Sequence, residues 1–168
     1  SGLDQVLRAL SAHETKPYLV LVGGGEQEAE LRALARHLEI EDWVRFTGYV
    51  AFQDLPAHLA MADVAINPMA PSLVSDTALP NKVLQYMASA LPIVSTKLKG
   101  LSSLFGDLEG LQLVPEPSEV LSTAVQLAKD PNRLEFGENN RQAVRQRFSI
   151  DKALDQFESR IKRMGQQL

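Results

Sequence analysis

Short, nearly unbroken apolar runs separated by segments of helical periodicity constrain this chain more than any other feature. Tyr18-Leu19-Val20-Leu21-Val22 comes first and is closed by Gly23-Gly24-Gly25, so it is expected to be a buried strand entering a tight turn. Residues 26–38 then place Leu31, Leu34, Ala35 and Leu38 on one helical face, with acidic residues in the first turn where the helix dipole favours them. Further strands are predicted over 43–47, 64–66, 92–96 and 110–114. Helices are predicted at the start, from the spacing of Leu3, Val6, Leu7 and Leu10, and around Leu55 and Leu59. Others are expected from Pro80 to about Ala90 and over 119–129, 131–148 and 150–164. This alternation implies an α/β, Rossmann-like parallel sheet with helices on both faces, built as one domain over residues 1–168. Ligands of such sheets bind beyond the carboxyl ends of the strands, which draws attention to loops 23–25, 48–50, 67–79 and 96–101.

Composition narrows the function. A formal charge of −4 is too acidic for a chain whose main work is to neutralise a phosphate backbone, so nucleic acid is not an expected partner. With no cysteine there is neither a disulfide framework nor a thiolate metal site, which suits a reducing cytoplasm. No apolar run reaches membrane-spanning length. A cytoplasmic protein is expected, with any membrane contact made through the rest of a parent protein.

Two motifs carry chemistry. In Gly23-Gly24-Gly25 the third glycine of a dinucleotide fingerprint would fall at Glu28, so the triplet is read first as a turn requiring positive φ, with a ligand nearby as the alternative. The second motif is Leu79-Pro80-Asn81-Lys82-Val83-Leu84-Gln85-Tyr86-Met87-Ala88. A helix start carries unpaired N–H groups and partial positive charge, and so can dock a phosphate. Lys82 falls in that first turn, where a cation opposes the helix dipole, which hints at a ligand anion that offsets it. Gln85, one turn further along, could hydrogen-bond paired hydroxyls such as those of a ribose. The bland alternative is a solvated lysine and a surface glutamine.

The order of these segments resembles a known family. A strand with Gly-Gly-Gly, a long helix, Val44-Arg45-Phe46-Thr47-Gly48-Tyr49-Val50, Leu55-Pro56 and Ala62-Asp63-Val64-Ala65-Ile66-Asn67-Pro68 precede the Pro80–Ala88 stretch, and Leu91-Pro92-Ile93-Val94-Ser95-Thr96 follows it. Together they look like the carboxy-terminal domain of the retaining, metal-independent glycosyltransferases of the B fold, the glycosyltransferase group 1 family. The resemblance implies a nucleoside diphosphate sugar as donor substrate, with no cofactor and no metal. It places Tyr49 and Val50 at the base, Lys82 at the phosphates, Gln85 at the ribose, and Thr77, Ala78 and Leu79 at the sugar, with Asn81 beside Lys82. The family's two glutamates, separated by seven residues, would fall at Thr77 and Gln85, so neither carboxylate is present. Pro80 also stands where a glycine is common and cannot donate an N–H. The resemblance further implies one more strand and a basic loop ahead of Gly2, and an amino-terminal acceptor domain as partner. The sheet is therefore expected to show an unpaired edge or an open groove, and the chain alone to be inactive.

Other residues are expected to be structural. His13, His37 and His58 lack metal-ligand spacing, Asp63 marks a helix-to-strand connection, Trp43 is expected in the core, and Arg160, Lys162 and Arg163 on a solvated face. Two rival functions remain. A non-catalytic relative would bind a nucleotide or a protein. A phosphoacceptor module, suggested by Lys97 just past a strand, needs a carboxylate cluster that residues 18–25 do not offer.

Overall fold

The computed structural model describes residues 2–70 and 79–148. The chain begins with α1 (Leu3–Ala12), whose Val6, Leu7 and Leu10 are buried, and continues into β1 (Leu19–Val22), α2 (Glu28–His37) and β2 (Val44–Gly48). A short α3 (Leu55–Ala60) leads to β3 (Ala65–Asn67). Then come α4 (Asn81–Ala88), β4 (Ile93–Thr96), α5 (Lys99–Phe105), β5 (Leu111–Val114), α6 (Val120–Ala128) and α7 (Arg133–Phe148).

Among the described residues the strand pairs are parallel, as the sequence implies, but they form two sheets. β1 pairs with β2, in the register Leu19 to Val44, while β4 lies between β3 and β5, with Ile93 opposite both Ala65 and Leu111. The expected single sheet is thus interrupted between β1 and β3, where the open groove anticipated from the sequence lies.

Side chains alternate across β4 and so divide the core. Ile93 joins Val83, Met87, Leu101 and Phe105 on the α4, α5 and α7 side. Val94 meets Val120, Ala124 and Leu127 of α6 on the other. A third cluster packs α1 and α2 on β1 and β2 through Leu7, Leu10, Leu19, Leu31 and Val44, joined by Leu121 of α6. Among the described residues no helix is long and apolar enough to cross a membrane.

Several boundaries move. Pro80 precedes α4 in an extended conformation (φ −65°, ψ 117°), so the helix starts at Asn81. It stops at Ala88, and Ala90 takes a left-handed φ of 57° before Leu91-Pro92. Residues 99–105 form α5, although they read as part of a loop, because Leu101 and Phe105 lie one turn apart and both point into the core. Trp43 is not core: it sits in a 3-10 turn, 42% exposed. Asp63 meets Arg133 at 3.6 Å across the helix-to-strand connection. The helix expected over 150–164, with Arg160, Lys162 and Arg163, lies outside the described residues.

Candidate donor-binding site

At the carboxyl end of β1 the chain reverses through Gly23, whose φ of 115° suits glycine alone, and the Gly23 N–H donates to the Gly48 carbonyl at 3.0 Å. Thr47 holds this junction from below, its hydroxyl 3.4 Å from the Leu21 carbonyl and 2.8 Å from that of Gly48. Gly24 and Gly25 follow, and among the described residues their N–H groups have no partner. A Cβ on Gly24 would come within 2.8 Å of the Tyr49 ring, which therefore lies against the glycine loop while remaining 84% exposed.

The start of α4 faces the same space. No side chain caps it, and Asn81, its first residue, is exposed. Lys82 also keeps solvent contact and has neither ion pair nor hydrogen bond among the described residues. Even so, atoms crowding its ammonium strip away hydration and lower its pKa from the ordinary lysine value. Burial likewise raises the pKa of Tyr86, one turn on. The sign for Lys82 follows: the folded chain binds this proton less tightly than the unfolded one, so a charged Lys82 opposes folding at neutral pH, and the penalty fades as pH rises through the lowered pKa. A docked anion reverses that cost.

One cavity of about 860 Å³ joins these parts: Gly23, Gly24, Gly25, Lys82 and Gln85 all line it. It is large enough for a nucleotide-sized ligand, and Lys82 lines it together with three carboxylates, those of Glu26, Glu28 and Asp63. Not every predicted residue reaches it. Tyr49 stands beside Gly24 outside the lining, Val50 is half-buried away from it, and Leu79 turns its side chain into the core under α4. Thr77 and Ala78 lie outside the described residues.

A buried polar cluster at the carboxyl ends of β3 and β4 was not anticipated. The Asn67 amide donates to the Ser95 hydroxyl at 2.8 Å, Ser95 donates to the Thr96 carbonyl at 2.9 Å, and Thr96 donates to the Met69 carbonyl. All three side chains are fully buried, and they fix the path of the chain as it leaves β3. Polar residues ending otherwise apolar strands were the signal in the sequence. With its proton on Nδ1, His58 donates to the Asp54 carbonyl, 3.1 Å away within its own helix start, and among the described residues no cluster suits a metal ion.

The chain is 31% identical over 150 residues to the N-acetyl-alpha-D-glucosaminyl L-malate synthase of Bacillus anthracis, covering 87% of this chain and 37% of that protein. Over 70 residues it is 52% identical to a GDP-mannose-dependent alpha-(1-6)-phosphatidylinositol monomannoside mannosyltransferase of Mycobacterium tuberculosis, covering 40% and 18% of the two chains. The chain thus spans little more than a third of the first of these relatives and less of the second. Its fold matches Anabaena Alr3699/HepE, solved in complex with UDP, with a TM-score of 0.78 at 22% identity over 94% of this chain and 44% of that one. It also matches the C-terminal domain of the group 1 glycosyl transferase LpcC from Francisella tularensis, with a TM-score of 0.69 at 18% identity over 89% and 80% of the chains. The family described as glycosyl transferases group 1 matches residues 1–130, and the chain belongs to that family.

Proposed function

We infer that this chain is the donor-binding domain of a glycosyltransferase that moves a sugar from a nucleoside diphosphate sugar to an acceptor hydroxyl. The observation that carries this reading is the meeting of Lys82, an uncapped helix start and the free Gly24 and Gly25 N–H groups around one cavity. Transfer leaves negative charge on the departing diphosphate. Fixed donors already in place stabilise such charge without reorganising during the reaction. Lys82 supplies a full charge, the α4 terminus a partial one, and the glycine loop oriented N–H groups. Gln85 holds the ribose, and the exposed Tyr49 and neighbouring Val50 flank the base. Thr77, Ala78 and Leu79 follow the family pattern at the sugar. The UDP of the Anabaena neighbour and the GDP-mannose dependence of the mycobacterial relative support a nucleoside diphosphate as the shared recognition element.

Metal independence and retention of anomeric configuration come from the family resemblance. The acceptor site belongs to an amino-terminal partner domain, so this chain alone is expected to transfer no sugar: half a cleft cannot hold two reactants in proximity. A radiolabelled-sugar assay with UDP- and GDP-sugars checks this, and turnover by the isolated chain would contradict it. Transfer by the parent protein distinguishes an enzyme from a nucleotide-binding relative that lost activity with the two glutamates.

Gln85 provides the sharper test of placement. Gln85→Ala should weaken nucleoside diphosphate binding by about 0.5–1.5 kcal/mol, the range of a neutral hydrogen bond. The same change measured with the 2′-deoxy nucleotide should be nearly silent, because the interaction is already absent. Equal losses with both nucleotides would remove Gln85 from the ribose.

A further inference from the structure

The carboxylates that line the cavity differ in what holds them. Glu26 is exposed, and Asp63 is engaged with Arg133 ahead of β3. Glu28, in the first turn of α2, is half-buried, and both Nε and Nη2 of Arg32 donate to a single one of its oxygens, Oε1, at 2.9 and 2.7 Å. Arg32 is itself fixed: its guanidinium lies 4.6 Å from the centre of the Phe46 ring, and Nη2 reaches the Phe46 carbonyl at 3.5 Å. An acidic residue at a helix start with an arginine one turn on is ordinary helix stabilisation, and it accounts for Oε1. It does not account for Oε2. Among the described residues that oxygen has no hydrogen-bond partner, and it faces the glycine loop, where a Cβ on Gly24 would stand 3.2 Å from it and 2.8 Å from the Tyr49 ring. Gly23 and Gly48 need glycine for their positive φ, but Gly24 does not, so its missing side chain serves the approach of Tyr49 and Glu28.

We propose that Glu28 reads the nucleotide base and selects guanine, so that the donor is a guanosine diphosphate sugar. This rests on the placement of the base at Tyr49 in the proposed function. A carboxylate can only accept hydrogen bonds. Uracil offers it a single ring N–H flanked on both sides by carbonyl oxygens, which a carboxylate repels. Guanine offers two neighbouring donors on one edge, the ring N1–H and the exocyclic amine. Adenine sets its amine beside a ring nitrogen that is itself an acceptor. Oε2 of Glu28 meets the guanine donors, while Arg32 holds Oε1 and keeps the carboxylate from turning away from the loop. A bond to a charged acceptor is stronger than one between neutral groups, and a site built around it discriminates against a base that cannot make it. Charge also orients the ligand: Glu28 repels the diphosphate that Lys82 attracts, so the base lies at the Glu28 end of the site and the phosphates at the Lys82 end.

Calorimetric titration with GDP, UDP and inosine diphosphate, which keeps the N1–H of guanine but lacks its amine, tests this first without any substitution. GDP should bind about tenfold or more tightly than UDP, and also more tightly than inosine diphosphate. Glu28→Gln keeps the length of the side chain and an oxygen for Arg32 but sets an amide N–H before the base. It should weaken GDP by about tenfold, leave UDP unchanged or tighter, and erase the preference for GDP over inosine diphosphate. Lys82→Ala should instead weaken GDP and UDP by the same factor, because it acts on the phosphates that both share. Wild type binding UDP as tightly as GDP, or Glu28→Gln losing GDP and UDP equally, would overturn the proposal, and the donor-binding reading would still stand if Lys82→Ala weakens both. Failure of wild type to bind any of the three nucleotides would overturn both.

Discussion

Gly137→Ala should destabilise the fold by about 2–3 kcal/mol, the cost of overpacking a site that cannot yield. The glycine lies in the first half of α7, and a Cβ there would stand within 2.0 Å of the Ala90 carbonyl oxygen and 2.7 Å of its carbon, both backbone atoms of the turn after α4. A flexible side chain could swing aside, but this backbone is held by the left-handed Ala90 and by Pro92. The sign of the effect is diagnostic. In an exposed helix the same substitution would stabilise by roughly 0.5–1 kcal/mol through helix propensity alone. Asn140, one turn along the same face, gives a companion effect. Fully buried, it donates to the Leu91 carbonyl at 2.9 Å and the Gly110 carbonyl at 2.8 Å, tying α7 to the starts of both β4 and β5. Asn140→Ala should cost about 1–3 kcal/mol by leaving a buried carbonyl unpaired. For a chain of this size the Gly137 variant should lose roughly 4–12 °C in thermal midpoint, and a midpoint equal to or above wild type would show that α7 does not pack here as described.

α7 also shows where sequence patterns stop being informative. Its buried positions are Gly137, Asn140, Ala143 and Val144, a helical stripe in which Val144 alone is strongly apolar. The helix could be expected from its flanks, but not its buried face, because a close approach of backbones selects for absent side chains rather than apolar ones. Conversely, β4 was fully legible: Ile93, Val94, Ser95 and Thr96 are all buried, as an unbroken run between turn signals demands. α5 was hidden by its brevity, since seven residues hold too few turns for a period to show.

The site divides in the same way. The glycine turn, Lys82 and Gln85 were visible because each breaks a local rule or sits at a fixed offset from a helix start, and they converge on one cavity. Leu79 comes to the site from the family pattern alone, and its apolar side chain packs against the core beneath α4. Asn67, Ser95 and Thr96 were passed over because their partners are 28 and 29 residues distant in the chain. Hydrogen bonds at that separation exist only once the sheet has formed.

Lys82→Ala bears on the central claim more directly than any other change. If Lys82 faces the donor phosphates, its removal deletes a charge-assisted hydrogen bond worth about 1.5–3 kcal/mol, so nucleoside diphosphate affinity should fall roughly ten- to a hundredfold. Stability should not fall with it. The ammonium opposes the α4 dipole and is partly stripped of water, so at neutral pH the thermal midpoint of the variant should equal or slightly exceed that of wild type. The decisive measurement is a calorimetric titration of wild type and Lys82→Ala with UDP and with GDP, paired with thermal melts of the free proteins. The account predicts a large loss of affinity for the nucleotide that wild type binds, together with an unchanged or raised midpoint. Equal affinities in the two proteins would contradict it and reduce the start of α4 to a structural helix terminus.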